Sequence, residues 1–361
     1  MGTISQDNRA LLQKVAMIDD FVEFRDRELV LANDFPVTDI DALAYRYAID
    51  YADAQEALIR EPALKDLGDE FPEISVSEIS EGSGVLQGRG FMVKFEPRVL
   101  YYKTGESKVV RTKRKIARYL GQLIERSVWN VLVGGSATDG APGCGTTGAE
   151  FDTYFADVGI EGGYATSGTP TGQIGIVNTA GNEWDNGGNI LRQIRKVATL
   201  MQGQNLIQGT QAYEKYLNPQ TSVMVMDSLS YGVLYDELLS AKLSTIEVGL
   251  NMIKVPGLMG LTFTQANYAV YIGGATTFAG KANADGYAVI YDRNELPVQG
   301  YQSLPPLEGY SRSGEIDAGN VDMLIRTDYD KLGNYEIRFQ FMYAFALEDP
   351  KAVIVWAGLR A

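Results

Sequence analysis

The sequence predicts an α+β fold whose longest elements reach beyond one compact core. Two patterns carry this reading. Tyr335, Ile337, Phe339, Phe341, Tyr343, Phe345 and Leu347 occupy alternate positions, with Glu336, Arg338 and Gln340 filling the other face, which is the period of a strand. Between residues 107 and 134, Val109, Ile116, Leu120, Leu123, Ile124, Val128, Val131 and Leu132 recur at helical spacing. At roughly 1.5 Å per residue the helix is about 40 Å long. The strand is of similar length, about twice the usual 17–20 Å. With 361 residues, 45% of them hydrophobic, the chain can bury one sizeable core or two smaller ones.

The remaining elements follow in chain order. Residues 1–60 read as a helical N-terminal arm. Leu11, Leu12, Val15, Ile18 and Val22 form one apolar stripe, Leu43, Tyr47, Tyr51 and Ala54 a second, and Pro36 separates them. Residues 61–106 read as an extended loop, with a β-hairpin over 71–106. Ile74 and Val76 mark its outgoing strand, Glu81-Gly82-Ser83-Gly84 its turn, and Phe91, Val93 and Phe95 one face of the return strand. Gly88 and Gly90 flank Arg89 and predict a bend there.

Gly134-Gly135 stops the long helix. Residues 135–187, rich in Gly, Thr, Asn and Asp and without a period, read as a long ordered loop. A helix is predicted over 189–202 on Ile190, Ile194, Val197 and Leu200. Val223–Met226 reads as a buried strand, and Asp227-Ser228 caps a helix running to about Ala241. Residues 250–315 alternate short apolar segments with turns. Asp349-Pro350 ends the long strand, and Ala352–Trp356 returns as a buried one.

Composition removes several kinds of chemistry. The chain has no His and a single Cys, so His-based triads, His metal sites and internal disulfides are excluded. That residue, Cys144, lies in a Gly-rich stretch and is not assigned a catalytic role. Acidic residues outnumber basic ones by 46 to 32, for a net charge of −14, which disfavours a dedicated nucleic-acid binder. The same balance suits a container that must hold DNA without sticking to it; the plainer reading is solubility. No apolar run reaches the roughly 18 residues needed to cross a bilayer, and no membrane partner is expected.

Three clusters are candidate sites. Lys108, Arg111, Lys113, Arg114, Lys115 and Arg118 concentrate positive charge at the start of the long helix. Contact with packaged DNA, pairing with acids of a neighbour such as Asp69, Glu70, Glu73 and Glu78, and a merely solvated face all remain open. Gly82, Gly84 and Gly88 do not make a dinucleotide fingerprint, which needs a strand before and a helix after. Asn182, Glu183, Asp185 and Asn186 offer oxygen donors, but their spacing matches no EF-hand. No cofactor, metal or catalytic residue is assigned.

The order of elements resembles the major capsid proteins of tailed double-stranded DNA viruses, a fold shared with encapsulins. Phe91-Met-Val-Lys-Phe-Glu followed by Lys115-Ile-Ala-Arg-Tyr-Leu-Gly-Gln-Leu-Ile-Glu is similar to the end of that family's extended loop entering its spine helix. Ser222-Val-Met-Val-Met-Asp resembles the entry to its axial domain, and Gly286-Tyr-Ala-Val-Ile-Tyr-Asp a late strand of it. The run from Phe341 through Asp349-Pro-Lys-Ala-Val-Ile-Val resembles the closing peripheral segment.

The resemblance implies an N-terminal arm (1–60), an extended loop (61–106) and a peripheral domain over 107–218 and 320–361, with its spine helix at 107–134. It implies an axial domain over 219–319. Its function would be self-assembly into pentamers and hexamers of an icosahedral shell around double-stranded DNA. The partners implied are other copies, a portal protein, a separate scaffolding protein and weakly held DNA, in a virion assembled in the host cytoplasm. Gln87, Arg89, Phe91, Arg111, Lys113, Arg114, Lys115 and Arg118 are the candidate interface residues. Competing readings are an encapsulin-type compartment, a virion tail or adhesin protein, and a hydrolase with acidic catalysts, for which no carboxylate pair stands in a recognisable motif.

Overall fold

A computed structural model describes residues 29–49, 80–96, 115, 119, 121–133, 150–164, 174–201, 217–240, 247–249, 252–254, 260–266, 285–308, 310–312, 321–349 and 352–361. The readings for residues 1–28, for Ile74 and Val76, and for the first half of the long helix lie outside them.

Among the described residues the chain runs α1 (Leu31–Asp34), β1 (Val37–Asp39), β2 (Ala44–Ile49), β3 (Ser80–Val85), β4 (Gln87–Phe95) and then helix α2 over residues 121–133. It continues through β5 (Glu150–Phe155), β6 (Ile160–Tyr164), β7 (Ile174–Asn178), α3 (Ile190–Met201), β8 (Ser222–Asp227) and α4 (Ser228–Ser240). The rest is strand: β9 (Glu247–Gly249), β10 (Met252–Lys254), β11 (Thr262–Ala266), β12 (Tyr287–Asp292), β13 (Val298–Gln302), β14 (Ser311–Arg312), β15 (Leu324–Tyr329), β16 (Tyr335–Leu347) and β17 (Val353–Ala357).

Two large sheets share the chain. Strands β5-β6-β7-β17-β12-β8-β11-β10-β9 form one of nine strands, and β1-β13-β16-β15-β14 with β4 on β16 form one of six. The central strands of the larger sheet are buried on both faces, so their sequences read as continuous apolar runs. Period-2 alternation sorts their side chains between two cores. Val223 and Val225, Tyr287, Val289 and Tyr291, and Val353 and Val355 enter one, with α1, α2 and the six-stranded sheet. Met224 and Met226, Ala288 and Ile290, and Ile354 and Trp356 enter the other, against α3 and α4.

The long strand has the predicted extent, 13 residues, and its aromatic row is buried. Its outer row is settled by charge. Buried Glu336 takes Lys94 from β4 and Arg338 (2.9 Å), and these cations hold its carboxyl below the usual range. Helix α3 opens on Asn189, whose Oδ1 accepts the Arg192 N–H at 3.1 Å. Helix α4 opens on Asp227, whose Oδ1 accepts the N–H groups of Leu229 and Ser230 at 3.0 Å each.

Three expectations are corrected. Residues 44–49 form a strand rather than helix, and the expected turn at Glu81–Gly84 lies within β3, paired with β2. Tyr45 stands opposite Gly84 and Tyr47 opposite Gly82. Their rings lie flat over the glycines, and a Cβ there would come within 2.2–2.3 Å of ring atoms or the hydroxyl. The Gly-Ser-Gly stretch is therefore a platform for two tyrosines, a known way of covering a bare strand.

Consequently β4 is not the return limb of a hairpin with β3. It pairs antiparallel with β16 from Phe95↔Tyr335 to Gln87↔Tyr343. Third, the expected loop over 135–187 contains β5, β6 and β7, whose glycines at 162, 163 and 175 hid the alternation. Each large sheet also draws strands from distant parts of the chain. Strands β5–β7 and β17 join the axial-range strands, while β13 joins β16. The two crossovers meet: the N–H groups of Glu348 and Asp349 donate to the Pro297 carbonyl at 2.9 and 3.2 Å.

Candidate subunit interface

Strand β4, helix α2 with the helical positions before it, and β16 enclose an open groove of about 390 Å³. Arg89, Phe91 and Val93 come from β4, and Lys115, Tyr119 and Leu123 from the helical side. Alternation along β4 sends Phe91 and Val93 to the helix side. Phe91 stacks on Phe339 of β16 at 4.7 Å, which fixes the groove floor. Spacing of four aligns Lys115, Tyr119 and Leu123 on one helix face. Leu123 is half-buried, but Tyr119 is 61% exposed and Lys115 is exposed at the rim. The groove thus combines an apolar floor with two cationic side chains.

The structure therefore brings three of the expected interface residues together: Arg89, Phe91 and Lys115. Gln87 is placed by its backbone opposite Tyr343. Arg111, Lys113, Arg114 and Arg118 lie outside the described residues. Sequence reasoning missed Tyr119 as a surface residue; its four-residue step from both Lys115 and Leu123 was the available signal.

A second missed feature fastens the chain's early segment to the helix. Glu125 of α2 is 1% exposed. Its Oε1 accepts the N–H groups of Val30 (3.1 Å) and Leu31 (3.0 Å), and its Oε2 that of Ala32 (2.9 Å). These are N-terminal amides of α1, which the short helix cannot satisfy internally. Leu29, Leu31, Ala32 and Phe35 bury their side chains in the same core. At the other end of α1, Asp34 accepts the Tyr291 hydroxyl at 2.6 Å and pairs with Arg293 at 3.0 Å. Burial pushes the Glu125 carboxyl up to about 7, with the three amides pulling the other way and Asp34 adding a smaller upward push. The sequence signal was an acid set among the apolar positions Ile124 and Val128.

The oxygen-donor loop is engaged internally. Glu183 Oε2 accepts Gly181 N–H (2.8 Å), Asp185 Oδ1 accepts Ala361 N–H (2.9 Å), and the Asn182 amide donates to Thr179 (2.9 Å). Among the described residues no three His, Cys, Asp or Glu side chains form a metal-holding group. No described helix is long and apolar enough to cross a membrane.

No protein-family model and no curated protein matches the chain. Among solved structures it is similar to a phage-related protein from Bordetella bronchiseptica RB50, with 9% identity over 95% of this chain and 96% of that one and a TM-score of 0.51. It is also similar to the capsid of cyanophage P-SCSP1u (9% identity, 93% and 89% covered, TM-score 0.48). A third is the SrpI encapsulin of Synechococcus elongatus PCC 7942 (11% identity, 90% and 85% covered, TM-score 0.46). At such identities the likeness is one of fold. The chain shares the α+β fold of that phage-related protein.

Proposed function

We propose that the chain is a major capsid subunit, assembling as pentamers and hexamers of an icosahedral shell around double-stranded DNA. The observation that carries the reading is a phage-type fold shared along 95% of the chain with a phage-related protein. The groove between β4 and the helix supports it. Exposed Tyr119 above a floor of Phe91 and Leu123 is surface that suits a neighbouring copy. In this reading the cations at Arg89 and Lys115, and those at 111, 113, 114 and 118, face acids of an adjacent subunit. A portal protein and a separate scaffolding protein would be the other virion partners, and the site of assembly the host cytoplasm.

With a net charge of −14, the wall would touch DNA weakly and without sequence preference. Sedimentation velocity of the purified protein tests the proposal. Closed particles far heavier than the 39.5 kDa chain are expected. A single species at the monomer mass across the accessible concentration range would refute it. Particles holding protein cargo instead of DNA would move the reading to an encapsulin-type compartment.

A further inference from the structure

Helix α4 buries Leu234 and Leu238 against the nine-stranded sheet. Its solvent side is not the polar face that a surface helix normally shows. Leu229, Tyr235 and Leu239 are 58%, 38% and 53% exposed. Gly232 lies among them, also exposed, and a Cβ added there would meet nothing within 4 Å. Glycine weakens a helix interior relative to alanine, and no described neighbour needs the space. Steps of three and four place Leu229, Gly232, Tyr235 and Leu239 along one outward face. The arrangement is large apolar side chains around a gap at backbone depth.

The charges on this layer are divided. Asp236 and Glu237 stand on α4, and among the described residues neither has an ion-pair partner. Helix α3 shows a cationic outer side: Arg192 and Lys196 reach Asp157 at 3.0 and 3.4 Å, and Arg195 is exposed beside them. Helix α3 follows β7 and α4 follows β8, strands separated in the sheet by β17 and β12. A ring needs two different, complementary surfaces on every copy, because its contacts are heterologous.

We propose that the outward face of α4 is the docking surface for a second copy of this chain, whose α3 brings its cationic side against Asp236 and Glu237. Gly232 is then the point of closest approach. The proposal rests on the shell reading and adds the surface through which copies meet within a ring.

Gly232→Leu is the sharpest test, since the new side chain enters open space and favours helix. Its melting temperature should equal or exceed the wild type's, while particle yield by sedimentation falls at least about tenfold, the size of a contact loss near 1.4 kcal/mol. Asp236→Arg and Arg195→Asp should each reduce yield, and the two together should recover it. Wild-type particles with undiminished yield from Gly232→Leu would overturn the docking surface alone. A wild type that stays monomeric would overturn both the surface and the shell reading.

Discussion

Glu125 shows how a single residue can tie distant parts of the chain together. Its carboxylate satisfies three amides that would otherwise be buried without partners, each a cost of about 1–3 kcal/mol. Yet burial raises its carboxyl from the ordinary 4.5 to about 7. A carboxyl raised in the folded state adds stability that is complete below 4.5 and is lost as pH climbs through 7. At 1.36 kcal/mol per unit this amounts to about 3 kcal/mol. Urea unfolding between pH 5 and 8 should therefore show the wild type losing stability with rising pH. Glu125→Gln, which cannot ionise, should show a flatter dependence. Equal slopes in the two proteins would remove Glu125 as the source.

Two glycines of β4 make the case at the scale of an element. A Cβ on Gly90 would lie 2.8 Å from the Phe339 carbonyl oxygen, a backbone atom of the paired strand. A Cβ on Gly88 would meet only the movable end of Met342, at 3.3 Å. Gly90→Ala should thus cost about 1–3 kcal/mol, as overpacking does, while Gly88→Ala should be close to neutral. Thermal melts of both variants check this, and equal costs would contradict the pairing of β4 with β16.

The long strand and helix α3 were legible because each shows its period over many residues, and helix α4 because Asp227-Ser228 marks its start. Strands β2 and β3 were not, because the tyrosine–glycine pairing that joins them is a contact between chain positions far apart. Tyr47 falls in the helical stripe of Leu43, Tyr51 and Ala54, and Gly82 and Gly84 look like a turn until the rings above them are known. The groove was half legible for a similar reason. Its cations and Phe91 stand out in the sequence, whereas Tyr119 matters only once β4 is laid beside the helix.

For the whole molecule, the nine-stranded sheet is the common wall of two cores, with α3 and α4 on one side and α1, α2 and the second sheet on the other. The chain passes between the sheets at Pro297 and again after β16, so no cut in the sequence separates them. Strands from distant parts of the chain therefore share each sheet, and the α+β class is visible in the mix of helices and strands. The candidate contact surfaces, the groove and the outer face of α4, are mounted on opposite sides of that wall. Electron microscopy of the purified protein, with reconstruction of any particles, tests the central claim most directly. The account predicts closed icosahedral shells in which a neighbouring copy fills the groove around Tyr119. Monomers, or particles that leave that groove facing solvent, would contradict it.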